Sequence, residues 1–386
     1  SVLIHDQVCA TEIRRRRKRG LIAAPTKRLF IYDQVCDSCG DCSVQSNCLS
    51  IEPVETKFGV KRRINQSSCN MDYSCSDGFC PSFVTVSGLA GQGGGLTQAQ
   101  LPFDPRNAAA NLIEPEPPVV GTTPFNLLIT GAGGMGVTTL SAILAMAAHT
   151  DGLVAAALDM TGLAQKGGGV TSHLRIGRKD FQLLSSRMGP GQADVVLACD
   201  TITAATPDSL SLFNPDHTTL ICNTDTTPTS EFTLTGSMAF KDPAIALTLT
   251  ANAHRALRYP ATKIAEQFFS DAIFANMILL GAVWQAGLIP ITSISIEAAI
   301  TANGAAIDDN LRAFALGRIL TAAPEMIPSA REEYDSKRDA VLEDRLEFLR
   351  AELSVYQDAA YAARFMDFVN RVQVAARRAN IHGDVF

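Results

Sequence analysis

A chain of 386 residues, 46% of them hydrophobic, has material for two or three domains with a sizeable core, which excludes a disordered or fibrous protein. Its formal net charge of −6 hides an asymmetry, because residues 14–19 are all basic and the rest of the chain is correspondingly more acidic. An acidic bulk argues against general nucleic-acid binding.

Residues 1–8 read as a strand that starts without an initiator methionine, as though inside a domain. The basic run 14–19 follows. Its ordinary reading is a solvated segment; placed ahead of a cysteine-rich region, it is expected to meet an acidic partner surface or a neighbouring domain.

Seven cysteines then fall between positions 36 and 80. In Cys36-Asp-Ser-Cys39-Gly-Asp-Cys42, successive two-residue gaps let one loop wrap three corners of an iron-sulfur cube. A bacterial ferredoxin takes its fourth ligand from a distant cysteine followed by proline, and Cys80-Pro81 fits, so one 4Fe-4S cluster is assigned to Cys36, Cys39, Cys42 and Cys80. In the same arrangement Cys48 reaches a second cluster with Cys69 and Cys75. That cluster is one thiolate short, which leaves a non-cysteine ligand, an outside thiol or no second cluster as alternatives. A structural zinc site normally shows two separated Cys-x-x-Cys pairs rather than three thiolates in series. A disulfide framework fits poorly, since nothing in the chain resembles a secretory leader.

Residues 87–121 are rich in Gly, Pro, Ala and Gln and read as a linker running extended over the surface. From 124 onward strand and helix signals alternate: strands at 125–130, 153–158, 194–199 and 218–222, a helix at 137–149, and later helices at 261–269, 272–286, 296–302 and 308–319. This predicts an α/β domain with a largely parallel sheet. The uncharged stretch 272–291 approaches membrane-spanning length, but Asn276, Gln285, Gly287 and Pro290 favour a buried helix, so no membrane role is expected and the protein is placed in the cytoplasm. Residues 331–378 are charged and helix-forming, a separate helical segment.

Gly131-Ala-Gly133-Gly134-Met-Gly136 matches G-x-G-x-x-G between a strand and a helix, the context of a phosphate-binding turn. Asp159 ends the next predicted strand at a distance suited to a ribose hydroxyl. Val137 stands where a Walker lysine belongs, which disfavours ATP hydrolysis. A second glycine-rich element, Lys166-Gly167-Gly168-Gly169, is expected beside the first, with Lys166 as a cation for phosphate or carboxylate. The competing reading is that these glycines only allow tight packing and that Lys166 is an exposed loop residue. His149 and His173 have no partner spacing for metal or catalysis and read as structural.

The cysteine segment with its flanks, from Arg28-Leu29-Phe30-Ile31 to Cys80-Pro-Ser-Phe-Val-Thr-Val86, resembles the ferredoxin-type segment of the long, fused indolepyruvate ferredoxin oxidoreductases. Asp6-Gln-Val-Cys9-Ala10 and the arginine run resemble the end of that family's thiamine-diphosphate-binding domain. Residues 125–318, with GAGGMGV, LDMTGLAQKGG and DDNLRAFALGR, resemble the gamma domain of 2-oxoacid:ferredoxin oxidoreductases. The implied domains are 1–30 (end of the thiamine domain), 31–86 (iron-sulfur), 87–123 (linker), 124–327 (gamma) and 328–386 (helical).

The resemblance implies oxidative decarboxylation of an aryl 2-oxoacid such as indolepyruvate, with coenzyme A taking the acyl group and ferredoxin the electrons, in a homo-oligomer. The Gly-Asp-Gly…Asn motif for thiamine diphosphate and Mg2+ is missing from these residues. The chain is therefore expected to be the C-terminal part of a larger protein, with decarboxylation on a thiamine-binding part elsewhere. Two other readings compete: an iron-sulfur oxidoreductase holding FAD or NAD on the glycine turn and Asp159, and a zinc module binding nucleic acid through residues 14–19.

Overall fold

The computed structural model describes residues 8–18, 20–56, 59–88, 101–162, 167–180, 185–228, 230–236, 243–327 and 342–378. The chain divides into two units, Ser1–Val54 with Val60–Pro328, and Glu55–Gly59 with Ser329–Phe386. Of the strand expected over 1–8, residues 1–7 lie outside the described residues, and Val8 is not in a strand.

The basic run is helical rather than coiled, as α1 (Ala10–Lys18). Part of it is engaged within the chain: Arg14 Nη1 donates to the Ser68 carbonyl and Arg17 Nη1 to that of Asn70, both at 2.7 Å. Next comes the cysteine segment, enclosed by β1 (Lys27–Ile31) and its antiparallel partner, the strand Phe83–Ser87, with Lys27 opposite Ser87 and Ile31 opposite Phe83. Between them lie α2 (Asp41–Ser46), the paired strands β2 (Ile51–Thr56) and β3 (Gly59–Ile64), and a short 3-10 turn, Ser74–Ser76. The strand Phe83–Ser87 is β4. Among the described residues, Leu29, Ile51 and Ile64 form the buried apolar centre of this segment, with Cys42, Cys48, Cys69 and Cys75 packed around them.

The second half of the predicted linker is not a loose extended tether. Asp104 caps α3 (Pro105–Ala109) by accepting from the amides of Arg106 and Asn107. Leu101, Phe103 and Leu112 pack on the main core, and Gln285 Nε2 donates to the Ile113 carbonyl at 2.7 Å. The reason is physical: apolar side chains scattered through a Pro- and Gly-rich stretch gain by burial against a nearby helix.

The larger sheet carries β5 (Phe125–Ala132), β6 (Val154–Thr161), β7 (Gly169–Gly177), β8 (Val195–Ala198), β9 (Thr219–Asn223) and β10 (Arg255–Tyr259) in the order β10-β9-β8-β5-β7-β6. Strands β10, β9, β8 and β5 are parallel, as expected of the fold. Neither β10 nor β7 was anticipated as a strand, and β7 departs from the parallel pattern: it runs antiparallel to both β5 and β6 and separates them. Along β5, Leu127 and Ile129 join the core on one face while Leu128 joins the core on the other, the two-residue alternation of a strand covered on both sides.

Helices cover the sheet: α4 (Val137–Thr150), the single turns α5 (Thr201–Ala204) and α6 (Pro207–Leu210), then α7 (Ser230–Thr235), α8 (Pro243–Ala251), α9 (Ala261–Phe269), α10 (Ala275–Gln285), α11 (Ser293–Asn303) and α12 (Ile307–Ala322). Every residue of α10 from Ala275 to Trp284 is buried, so the uncharged stretch is a core helix. No described helix is long and apolar enough to cross a membrane. A Cβ on Gly281 would fall on the Phe314 carbonyl, and one on Gly317 on that of Ile278, so paired glycines let α10 and α12 cross with backbones touching. The described residues of the second unit include the helices Leu342–Tyr356 and Ala359–Arg378, with Asp358 accepting from the Tyr361 amide at 2.7 Å between them.

Candidate functional site

The cysteines gather in two groups. In the first loop the chain turns twice through left-handed backbone, at Ser38 (φ 66°) and Gly40 (φ 82°), which folds residues 36–42 into a cup. Glycine adopts that conformation without penalty; serine does not. The Ser38 amide points at Cys36 Sγ, 3.4 Å away, and Lys61 Nζ donates to the Cys36 carbonyl at 2.5 Å. Burial pushes the Cys42 thiol up, and the nearby Cys36 and Cys39 add to the shift.

Cys48, Cys69 and Cys75 line a common cavity with Arg28, Leu29, Ile51 and Ile64. Burial is the main cause that pushes Cys75 up to about 12, with Cys48, Cys69 and Asp72 contributing repulsion. Thiolates crowded in this way favour a cation among them, because bound metal removes both the burial cost and the repulsion. The Met71 amide points at Cys69 Sγ at 3.3 Å, and Cys80 Sγ lies 3.0 Å from Ser82 Oγ. As they stand, no three Cys, His, Asp or Glu side chains among the described residues converge closely enough to hold a metal ion. The donor set nevertheless fits an iron-sulfur cube: soft thiols in two groups, with amides turned toward sulfur.

Both groups rest on the helices of the α/β part. Arg62, itself buried, stacks over the Phe232 ring of α7 at 4.7 Å. Thr233 Oγ1 and Asn47 Oδ1 are hydrogen-bonded at 2.9 Å, and Asn65 Nδ2 donates to Glu266 Oε1 of α9 at 2.8 Å. Burial, followed by the charge of Glu52, holds the Glu266 carboxyl above its ordinary value.

The predicted glycines have separable roles. A Cβ on Gly131 would meet Val137 and Cys199, so this position serves packing. Gly136 (φ 77°) opens α4 in the left-handed region, and a Cβ there would meet Asn276 Nδ2. Gly134 (φ 97°) faces open space. The Gly133 amide donates to the Gly168 carbonyl at 2.6 Å, which joins the glycine turn to the second glycine-rich segment. Gly167 (φ 74°) lies against Leu49 of the cysteine segment. Lys166 is outside the described residues. Asp159 pairs with Ser172 in the outer strand β6, with β7 between it and the strand that leads into the glycine turn.

Sequence reasoning gave Asn276 no part in the turn. Its Nδ2 donates to the Met135 carbonyl at 3.0 Å and fixes the turn from the buried helix α10. The signal was an amide, one of two with Gln285, in an otherwise apolar run. His173 is structural: it is buried, its Nδ1 accepts from the Met188 amide at 3.1 Å, and burial lowers its basicity.

Residues 126–319 match the family model for pyruvate ferredoxin/flavodoxin oxidoreductase. Over 196 residues the chain is 30% identical to indolepyruvate oxidoreductase subunit IorB of Archaeoglobus fulgidus, covering 50% of this chain and 93% of that protein. It is also 30% identical over 196 residues to the subunit of the same name from Methanothermobacter thermautotrophicus, covering 49% and 94%. The crystal structure of pyruvate oxidoreductase subunit PORC from Thermotoga maritima is similar at 24% identity and a TM-score of 0.38, over 51% of this chain and 96% of that one. With half of its length matched and IorB proteins aligned over nearly their whole length, this chain belongs to the pyruvate ferredoxin/flavodoxin oxidoreductase family.

Proposed function

We propose that this chain is the electron-transfer and gamma part of a cytoplasmic 2-oxoacid:ferredoxin oxidoreductase acting on indolepyruvate or a related aryl pyruvate. The observation that carries this reading is the pair of cysteine groups, Cys36, Cys39 and Cys42 on one loop and Cys48, Cys69 and Cys75 around one cavity, in a chain whose following residues belong to the family. Cys36, Cys39, Cys42 and Cys80 hold one 4Fe-4S cluster, and Cys48, Cys69 and Cys75 hold three corners of a second. Such a cluster, when bound, accepts and releases one electron at a time.

The protein's own residues orient and insulate. The Ser38 and Met71 amides offer hydrogen bonds to thiolate sulfur, which favour charge on it. Leu29, Ile51 and Ile64 keep water from the inner side of the second group. Residues 1–30 are read as the end of a thiamine-binding domain, 31–86 as the electron carrier, 124–327 as the gamma domain and 328–386 as a helical addition. Decarboxylation is assigned to thiamine diphosphate and Mg2+ on the thiamine-binding part, because cysteine loops have no means of stabilising a carbanion. Gly131, Gly133, Gly134, Gly136, Gly167, Gly168, Asp159 and Lys166 form the candidate surface for coenzyme A, ferredoxin is the electron acceptor, and the assembly is a homo-oligomer.

The test is anaerobic purification followed by iron and acid-labile sulfide analysis. Cys39→Ser and Cys75→Ser should each lower both by up to about half, since a hydroxyl replaces a soft thiolate poorly. Unchanged iron, sulfide and visible absorption in both variants would overturn the assignment. Supplied with indolepyruvate, coenzyme A, thiamine diphosphate and Mg2+, the chain should release carbon dioxide only when the thiamine-binding part is added.

A further inference from the structure

The two cysteine loops share left-handed backbone at the same two positions, although only one carries a cysteine at its centre. Cys36 and Cys69 begin them; Cys42 and Cys75 end them. Two residues after the first cysteine, Ser38 (φ 66°) and Met71 (φ 57°) are both left-handed, and both amides point back at the sulfur, at 3.4 and 3.3 Å. Four residues after it, Gly40 (φ 82°) and Tyr73 (φ 64°) are left-handed again, and each is the cap of the helical turn that carries the last cysteine. Met71 and Tyr73 are large side chains in a backbone region that disfavours them. The second loop therefore retains a metal-wrapping course that local propensity alone would not select.

In this register the position of Cys39 is occupied by Asp72. Asp72 lines the same cavity as Cys48, Cys69 and Cys75. Both Asp72 and Cys39 are exposed at the outer side of their loops. Ser74 donates to Asp72 Oδ1 through its amide at 3.3 Å and its hydroxyl at 3.1 Å, while Oδ2 has no hydrogen-bond partner among the described residues. The other polar side chains of the cavity are engaged: Arg28 donates to the Pro25 and Lys27 carbonyls, and Gln66 to those of Leu29 and Ile64.

We infer that Asp72 is the missing ligand of the second cluster, binding its fourth iron through a carboxylate oxygen while Cys48, Cys69 and Cys75 bind the other three. This rests on the iron-sulfur reading above. A carboxylate is a harder and weaker partner for iron in a sulfide cube than a thiolate, so the Asp72 corner releases its metal first. Oxidation by ferricyanide takes one electron from the four-iron cube, which then parts into a three-iron cluster and one ferrous ion while ferricyanide becomes ferrocyanide.

The experiment uses the whole chain, purified anaerobically as wild type, Asp72→Cys, Asp72→Ala and the reciprocal Cys39→Asp, with electron paramagnetic resonance, Mössbauer spectra and released iron as readouts. On ferricyanide treatment the wild type should yield the three-iron signal and about one iron per chain. Asp72→Cys should keep both cubes intact. Asp72→Ala should already contain a three-iron cluster before oxidant is added. Cys39→Asp should make the first cluster labile as well and raise release to about two irons per chain. An Asp72→Cys protein that loses iron as the wild type does, or an Asp72→Ala protein that keeps a full second cube, overturns the inference while the clusters themselves stand. Iron without acid-labile sulfide in every protein defeats the iron-sulfur reading, and the inference with it.

Discussion

Asn65 donates through Nδ2 to Glu266 Oε1 at 2.8 Å and ties the end of the β2–β3 hairpin to helix α9. Ser67 Oγ reaches the same oxygen at 3.4 Å. Because burial and the charge of Glu52 raise the Glu266 carboxyl above its ordinary 4.5, the folded protein holds that proton more tightly than the unfolded one. The group's stabilising contribution is thus greatest in acid and declines as pH rises from about 4.5 through the folded value. Glu266→Gln keeps an acceptor for Asn65 and removes the titration. The stability difference between wild type and Glu266→Gln should move in favour of the variant as pH rises to neutrality, whereas Glu266→Ala should cost about 1–3 kcal/mol. Chemical denaturation at several pH values checks both.

On the iron-sulfur reading proposed above, removing iron should act locally. The cysteine segment buries only Leu29, Ile51 and Ile64 as its own apolar centre, whereas β5, β8 and β9 are buried on both faces of the main sheet. Chelation under anaerobic conditions should raise amide hydrogen exchange across β1, β4 and residues 36–75 and leave the central strands protected. Equal loss of protection in both regions would count against a locally stabilising metal.

Asp200 is buried and caps α5, its Oδ2 accepting from the amide and hydroxyl of Thr203, both at 2.8 Å. Asp200→Ala should cost about 1–2 kcal/mol. Burial raises this carboxyl above its ordinary 3.8, so its contribution too is greatest in acid and is lost as pH climbs through the folded value. Asp200→Asn should flatten that part of the pH dependence, as read from denaturation midpoints.

At the α10–α12 crossing, Gly281→Ala and Gly317→Ala each place a methyl group on a carbonyl of the opposite helix. Either should cost about 1–3 kcal/mol or more by overpacking, visible in thermal melts. The control is Gly304→Ala, where an added Cβ meets open space and only left-handed backbone (φ 73°) is strained.

The parts of the structure that announced themselves in the sequence were those with local causes. Cysteine spacing marked the loops, and the uncharged run marked α10, whose residues from Ala275 to Trp284 are all buried. Strand β7 was missed because its polar residues are satisfied by distant partners: His173 by the Met188 amide, and Arg175 by Asn126 Oδ1 at 2.9 Å. The packed half of the linker escaped for a similar reason, since Glu114 reads as solvent-facing until Ser293 Oγ is found 3.0 Å away and Arg318 at 3.7 Å. The match of Asp72 to Cys39 is already implied by equal six-residue spacings, Cys36 to Cys42 and Cys69 to Cys75, and the backbone angles add that the two loops turn alike.

The pairing of β1 with β4 gives the cysteine segment the character of a cassette. Lys27 and Ser87 are neighbours across the ladder, so the polypeptide leaves this segment beside the point where it came in. A module with adjoining ends can be spliced into a longer chain without prying its host apart. Length and composition can then vary on either side while the packing inside is untouched, and a single transcript can keep this segment and its neighbouring domain in fixed proportion.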